Sequence, residues 1–248
     1  FYRVATLGSG AGVAAIYYFN ERGVPYSKGT GLYTIEYMLH KVSIALFAGI
    51  FFILNWGYMQ KYYSQYDMTL LIGFGVTFVI AAVLLLFACS KKFHEVLLWI
   101  VRKLNRSGKL TEQVKKLEEQ CAILEDAAAT LLKRGGLIAG CILKNLLKFT
   151  FWYGIPFLIL AETGKLTLSQ GLAVTSLAMM LAAVIPAPAG IGSSEFVLTM
   201  LLAKIVGTGA AGSVAVLYRF ATFVLPFVIG AVVVVLWRRV HRSTEKAA

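Results

Sequence analysis

Glu36, His40 and Lys41 stand within one apolar stretch of the chain, Lys144 and Lys148 within a second, and Arg219 within a third. Glu195 opens a shorter apolar run, and Arg3 and Lys204 complete the set. An ionised group in hydrocarbon costs about 3 kcal/mol or more, so such residues persist where they bind, relay or pair. Glu36 and His40 are four residues apart and share a helix face, as do Lys144 and Lys148. This chemistry suits a headgroup carrying both signs. Arg219, Lys144 and Lys148 would take a phosphate, and Glu36 and Glu195 an amine, with His40 on the face of Glu36. In a structural alternative, Glu36 or Glu195 only neutralises Arg219, while the two lysines reach out to the bilayer surface. The three cysteines (Cys89, Cys121, Cys141) and three histidines are scattered without metal-ligand spacing. No P-loop occurs, and no cofactor, metal or catalytic residue is expected.

The second chemical feature is a broken backbone. Residues 185–195 read IPAPAGIGSSE. Pro186 and Pro188 cannot donate hydrogen bonds, and Gly190 and Gly192 are free of side-chain constraint. Irregular backbone at membrane depth survives only where protein or water satisfies it. The pattern predicts a re-entrant hairpin, entering over residues 167–185 and returning over 194–206, with Ser193 or Ser194 capping the returning helix. The amides near Gly192 would then face an anion. A Gly-rich run, LGSGAG with Gly8, Gly10 and Gly12, precedes a similar short apolar helix near the start of the chain.

The elements that must carry these residues are membrane spans. The 248 residues are 58% hydrophobic and 15% charged, too apolar for a soluble domain. The mean hydropathy of +0.74 agrees. Runs of about 20 residues cross roughly 30 Å of hydrocarbon. Residues 31–55, 69–89, 136–161 and 213–237 qualify. The net charge of +12 is gathered between and after these runs, the footprint of loops near anionic lipid rather than of a nucleic-acid site. Residues 90–135 hold ten basic and six acidic side chains, and Arg238, Arg239, Arg242 and Lys246 follow the last run. Both segments are therefore expected in the cytoplasm. Within 90–135, Val114, Leu117, Cys121, Leu124, Ala128 and Leu131 share one helix face, and Phe93, Leu97, Ile100 and Leu104 another, which predicts two amphipathic helices. Trp56, Tyr58, Tyr62, Tyr63 and Tyr66 read as an interfacial aromatic belt.

Order and direction suggest duplication. A short helix to Phe19, a polar turn over 20–31 and a full span are matched by a short helix, a Gly-rich turn over 207–212 and a second full span. The first copy runs outward and the second inward. The expectation is an all-α polytopic bundle of inverted repeats, each with a re-entrant broken-helix hairpin, as in alternating-access transporters. Its parts would be residues 1–89 (first repeat and a linking span), 90–135 (cytoplasmic hairpin), 136–240 (second repeat) and 241–248 (tail). Chain start at Phe1 without Met predicts a preceding segment that supplies one span and the first entering arm, as residues 136–185 do for the second copy.

IPAPAGIGSSE, followed by LYRFATFVLPFVIG over 217–230, resembles the lysylphosphatidylglycerol synthase transmembrane family, the flippase-like membrane domain of the multiple peptide resistance factor. Pro186, Pro188, Gly190, Ile191, Gly192, Glu195, Tyr218, Arg219 and Pro226 match its pattern, and Ala189 stands where the family often has Gly. TIEYMLHK over 34–41 resembles the family's first-half segment with its embedded Glu. The resemblance implies translocation of aminoacylated phosphatidylglycerol across the bacterial cytoplasmic membrane and resistance to cationic peptides. It implies a phospholipid as partner and is compatible with a homo-oligomer. The soluble domain that makes the lipid in full-length members is absent from this sequence, so lysyltransferase activity is not carried over.

Two other classes compete. A membrane enzyme acting on lipid-linked substrates would use Glu36, His40 or Glu195 as acid or base. A scaffold would recruit a partner through the 90–135 hairpin. Lipid movement, lipid alteration and partner loss respectively separate the three. The charge asymmetry itself predicts that single cysteines at Ser107 and Ser64, in a cysteine-free background, label from opposite sides of intact cells. Labelling of both from outside contradicts it.

Overall fold

The computed structural model describes residues 11–64, 75–76, 78–79, 82–83, 86, 90–105, 111–132, 134–185, 187 and 190–245. Among these residues the chain is helical and contains no strand. Helix α1 (Ala11–Glu21) stops where Gly23 adopts φ 84°, a left-handed turn that lets Arg22 and Val24 donate to Phe19 O and Gly23 to Asn20 O. Helix α2 (Tyr26–Leu54) starts immediately after Pro25. The expected polar turn over 20–31 is thus only a few residues long, and α2 is 29 residues long, about 43 Å at helical rise. Glycines let α1 and α2 close together. A Cβ on Gly12 would fall 2.7 Å from the Tyr33 ring, and Gly29 faces Ile16 and Phe19.

The second long apolar helix runs from Thr208 to Val235, 28 residues or about 42 Å. It joins α9 (Thr208–Arg219), a π-helical turn (Phe220–Val224) and α10 (Leu225–Glu245). Val216, Leu217, Phe220, Val228, Val232 and Val233 all point outward from it. A water-soluble surface does not carry a continuous apolar face of that length, whereas lipid requires one. Helix α6 (Gly135–Leu160) is 26 residues long and divides cleanly: Leu143, Leu147, Phe151 and Leu158 face outward, Phe149, Tyr153, Pro156 and Leu160 inward. Lys144, Asn145 and Lys148 stand within it. The expected span over 69–89 lies largely outside the described residues.

The shorter helix α7 (Leu168–Ala182) packs on α6 and α2, and α8 (Ser193–Val206) packs on α7 and α9. Helix α7 begins with a capping box, Thr167 Oγ accepting from Gln170 N–H and Gln170 Oε1 from Thr167 N–H. It is buried almost throughout, touching α2, α6 and α8. Gly171 permits this: a Cβ there would meet Phe157 Cβ at 2.8 Å. Small residues let helix backbones approach where lipid gives no hydrophobic drive. Helix α8 turns into α9 through Gly207 alone, at φ 86°, so the expected Gly-rich turn over 207–212 is largely helix. Ala211 and Ala215 are fully covered along the α8–α9 seam.

Two polar contacts fix the end of α2. Asn55 Nδ2 donates to Phe51 O at 2.9 Å and to Ser169 Oγ at 2.8 Å, tying the α2 terminus to the start of α7. Helix α3 (Trp56–Tyr63) follows, and Tyr63 Oη donates to Leu201 O of α8 at 2.9 Å in a fully buried position. Tyr63 is therefore a core strut, not part of an aromatic belt, while Trp56 is exposed.

The amphipathic pair forms as expected from its periodicity. Helices α4 (Lys91–Leu104) and α5 (Thr111–Leu132) pack together, with Val114 and Cys121 buried and Arg102 Nε donating to Glu118 Oε1 at 3.0 Å. Burial, helped by Glu118, raises the Cys121 thiol above its ordinary pKa and keeps it neutral. Ile100, expected on the packed face, is exposed; His94 is buried instead. Helix α5 also lies against α2.

Gly171→Ala should lower stability by about 1–3 kcal/mol, because Phe157 Cβ is fixed to the α6 backbone and cannot swing away. A thermal melt in detergent would show this as a lower midpoint. An unchanged melt would show that α6 and α7 are looser than described.

Candidate functional site

The site forms where the chain re-enters helix after its break. Val184 and Ile185 donate to Leu181 O and Ala182 O, closing α7 in a turn. Pro186, Pro188 and Ala189 lie outside the described residues. Gly190 (φ 68°) and Gly192 (φ 84°) both take left-handed backbone, which side-chain-bearing residues rarely adopt. Gly192 is the N-cap of α8 and has no side-chain oxygen to offer. The third helical residue supplies what glycine cannot: Gly192 N–H donates to Glu195 Oε2 at 2.9 Å.

Glu195 gathers further donors. Ser194 Oγ lies 2.7 Å from Glu195 Oε2 and 2.9 Å from Gly190 O. Ser193 Oγ also reaches Gly190 O, at 3.3 Å. The two serines thus bind the carbonyl of the preceding turn instead of capping amides as the sequence suggested. From α9, Arg219 Nε approaches Glu195 Oε1 at 3.1 Å, and Arg219 Nη1 lies 3.5 Å from Ser194 Oγ. The pair is partly covered, with side-chain exposures of 19% for Arg219 and 26% for Glu195. An ion pair in this position has lost much of its water but remains open to a ligand from one side.

The π turn after Arg219 has a local cause. Pro226 has no N–H, and its ring would press on the carbonyl four residues back. The ladder shifts by one residue, so Leu225 N–H bonds Phe220 O, an i to i+5 step. Arg219 then lies with its Cζ 3.9 Å above the Phe223 ring. The guanidinium is thus held both by the ring and by the Glu195 carboxylate. Tyr218, next to Arg219, is buried and within electrostatic range of Tyr153 on α6.

Beside Glu195 an open groove of about 530 Å³ runs between α8 and α9. Phe196, Thr199, Met200, Ala203, Gly212 and Val216 line it, so its wall is nearly all apolar. Its charged end is Glu195.

A second polar cluster joins α2 and α6. Lys148 Nζ lies 3.2 Å from His40 Nδ1 and donates to Asn145 Oδ1 at 3.0 Å. The buried Ser43 hydroxyl donates to Leu39 O at 2.7 Å and is itself 3.5 Å from Asn145 Nδ2. Phe149 packs on His40 at 5.2 Å and stacks on Tyr153 at 5.3 Å. Aromatic side chains therefore lead from this cluster toward Tyr218. Glu36 and Lys144 are exposed and join neither cluster, although each shares a helix face with a member. Gly12 lies in the first turn of α1 against Tyr33, while Gly8, Gly10 and Arg3 fall outside the described residues. Asn145, Ser43 and Phe223 were not singled out from the sequence. Phe223 had a signal, standing four residues after Arg219 ahead of a proline.

The sequence matches the family described as "Lysylphosphatidylglycerol synthase TM region" over residues 7–230, which contain every residue of both clusters. The chain belongs to that family. No curated protein and no solved structure matches it. Membership carries a membrane-associated role in lysylphosphatidylglycerol biology.

Arg219→Ala should cost about 1–3 kcal/mol, leaving the Glu195 carboxylate with only Gly192 N–H and the Ser194 hydroxyl. Arg219→Ala with Glu195→Ala should cost less than the sum of the two single changes, because the residues touch. Additive losses in thermal melts would contradict the pairing.

Proposed function

We propose that the protein moves a charged or aminoacylated phospholipid, of the lysylphosphatidylglycerol type, across the bacterial cytoplasmic membrane. One observation carries the reading: an open apolar groove has Glu195 as its charged residue, and Glu195 is in turn paired with a partly covered Arg219. That combination is complementary to a lipid, with acyl chain along Phe196, Met200 and Val216, phosphate at the guanidinium, and amine at the carboxylate. Arg219 is held by stacking on Phe223 as well as by Glu195, so it can turn its remaining donors to a phosphate without losing its place. His40 and Lys148 would form a second polar station at the α2–α6 interface.

The inverted-repeat architecture belongs to the same proposal. It is supported by two antiparallel pairs, α1–α2 and α8–α9, each a short helix joined by a left-handed glycine (Gly23, Gly207) to a long apolar one. The re-entrant reading of α7 and α8 is supported by their lengths, about 22 and 21 Å, each too short for a roughly 30 Å core. Asn55–Ser169 at the start of α7 and Tyr63–Leu201 late in α8 tie both to the chain that follows α2, as a hairpin entering and leaving by one face requires. The C-terminus and the α4–α5 hairpin then face the cytoplasm, where anionic lipid attracts their basic residues. Outward delivery of a lysine-bearing lipid would reduce the negative surface charge that draws cationic peptides.

Reconstituted vesicles with lysylphosphatidylglycerol in the inner leaflet test this, using a membrane-impermeant amine reagent to count lipid that reaches the outside. Arg219→Ala should abolish movement and Arg219→Lys restore part of it, because lysine keeps the charge and loses the planar fork. Thr199→Trp should also abolish it by filling the groove while sparing the pair. A folded Arg219→Ala, Glu195→Ala double variant that still moves lipid would reduce the pair to structural glue.

A further inference from the structure

Helix α4 presents two apolar faces, and α5 uses only one. Phe93, His94, Leu97 and Val101 turn inward, and Arg102 anchors that side to Glu118. On the other side Val96, Trp99 and Ile100 are 55%, 60% and 42% exposed. They stand three and four residues apart and make one stripe, extended by exposed Lys92 before it and exposed Lys103 after it. Lys103 Nζ sits 4.7 Å over the Trp99 ring, so the stripe's largest ring and its cation already stack. The acid of the helix is Glu95, and Lys91, Lys92, Arg102 and Lys103 outnumber it.

We propose that α4 is an interfacial anchor whose Val96–Trp99–Ile100 stripe enters the headgroup boundary while Lys92 and Lys103 bind anionic phospholipid phosphates. The occupant follows from charge and position. Lysines flanking a tryptophan-bearing apolar stripe match the polarity gradient of an anionic bilayer surface, with ammonium groups reaching outward and the indole at headgroup depth. Upstream of α4 in the sequence, the apolar residues Phe78, Val79, Val83 and Leu86 are exposed, and the Ser90 hydroxyl accepts from Phe93 N–H as the cap of α4. An exposed apolar stretch this close in sequence to α4 fits a helix that lies at the membrane surface. Because α5 packs on α2, the seat of α4 on the bilayer is coupled mechanically to a spanning helix.

Trp99 is its own probe. The full chain carrying Trp56→Phe, Trp152→Phe and Trp237→Phe would be reconstituted in phosphatidylcholine vesicles with and without phosphatidylglycerol, in each case with and without acyl-chain-brominated lipid. With phosphatidylglycerol present, Trp99 emission should shift to the blue and fall about twofold on bromination. High salt, or Lys92→Glu with Lys103→Glu, should reverse most of both effects. Circular dichroism would verify that the variants stay folded. Emission typical of water and unquenched in both vesicle types overturns the proposal and leaves the stripe to a protein partner. Equal quenching in both vesicle types, indifferent to salt and to the lysine changes, overturns the anionic-headgroup assignment. Neither result bears on lipid movement, which the groove and ion pair decide separately.

Discussion

Backbone that leaves helical geometry among apolar neighbours must find its hydrogen bonds inside the protein, and this constraint shapes everything around Gly190–Glu195. Two glycines accept left-handed dihedrals that the turn demands. Two serines satisfy the Gly190 carbonyl, and Glu195 folds back to satisfy the Gly192 amide. That last contact brings a carboxylate into a half-dry position, where it needs a cation. Arg219 answers it from the facing helix. The ion pair is thus a consequence of the broken helix, and its partial exposure makes it useful as well as structural.

The same logic runs outward into the packing. Arg219 must be aimed at Glu195, and the π turn forced by Pro226 supports that aim by setting Phe223 under the guanidinium. Helix α8 must be held rigidly enough to present its N-terminus, and Tyr63 does this from the far end through the Leu201 carbonyl. Gly171 lets α7 approach α6 closely, Ala211 and Ala215 do the same for α8 and α9, and Gly207 supplies the left-handed turn between the last two. Larger side chains there would separate the helices that carry the two halves of the pair.

Much of this was legible beforehand for physical reasons. Apolar length announced α2 and the Thr208–Val235 helix, and the Pro/Gly run announced the break before α8. Charge in an apolar context pointed to Arg219 and Glu195. Helix periodicity gave α4 and α5. What sequence could not supply was direction across space. His40 and Lys148 were each visible, but nothing in either segment says that α2 and α6 pack side by side in that register. Glu36 and Lys144 share faces with those residues by spacing and yet stay outside, because a helix face is wider than a contact. Tyr63 looked like interface by composition, and only the position of α8 makes it a buried strut. The turns at Gly23 and Gly207 were expected longer because polar and glycine residues flank them, but helical neighbours propagate through such residues once packing supports the helix.

If the groove and the Glu195–Arg219 pair hold a charged phospholipid, that lipid should travel with the protein. Mass spectrometry of lipid retained by the gently purified protein tests it most directly. An aminoacylated or otherwise charged phospholipid should be enriched over the bulk membrane, and the enrichment lost in the Arg219→Ala, Glu195→Ala double variant and in Thr199→Trp. Retained lipid that mirrors the bulk membrane, unchanged in either variant, would contradict it.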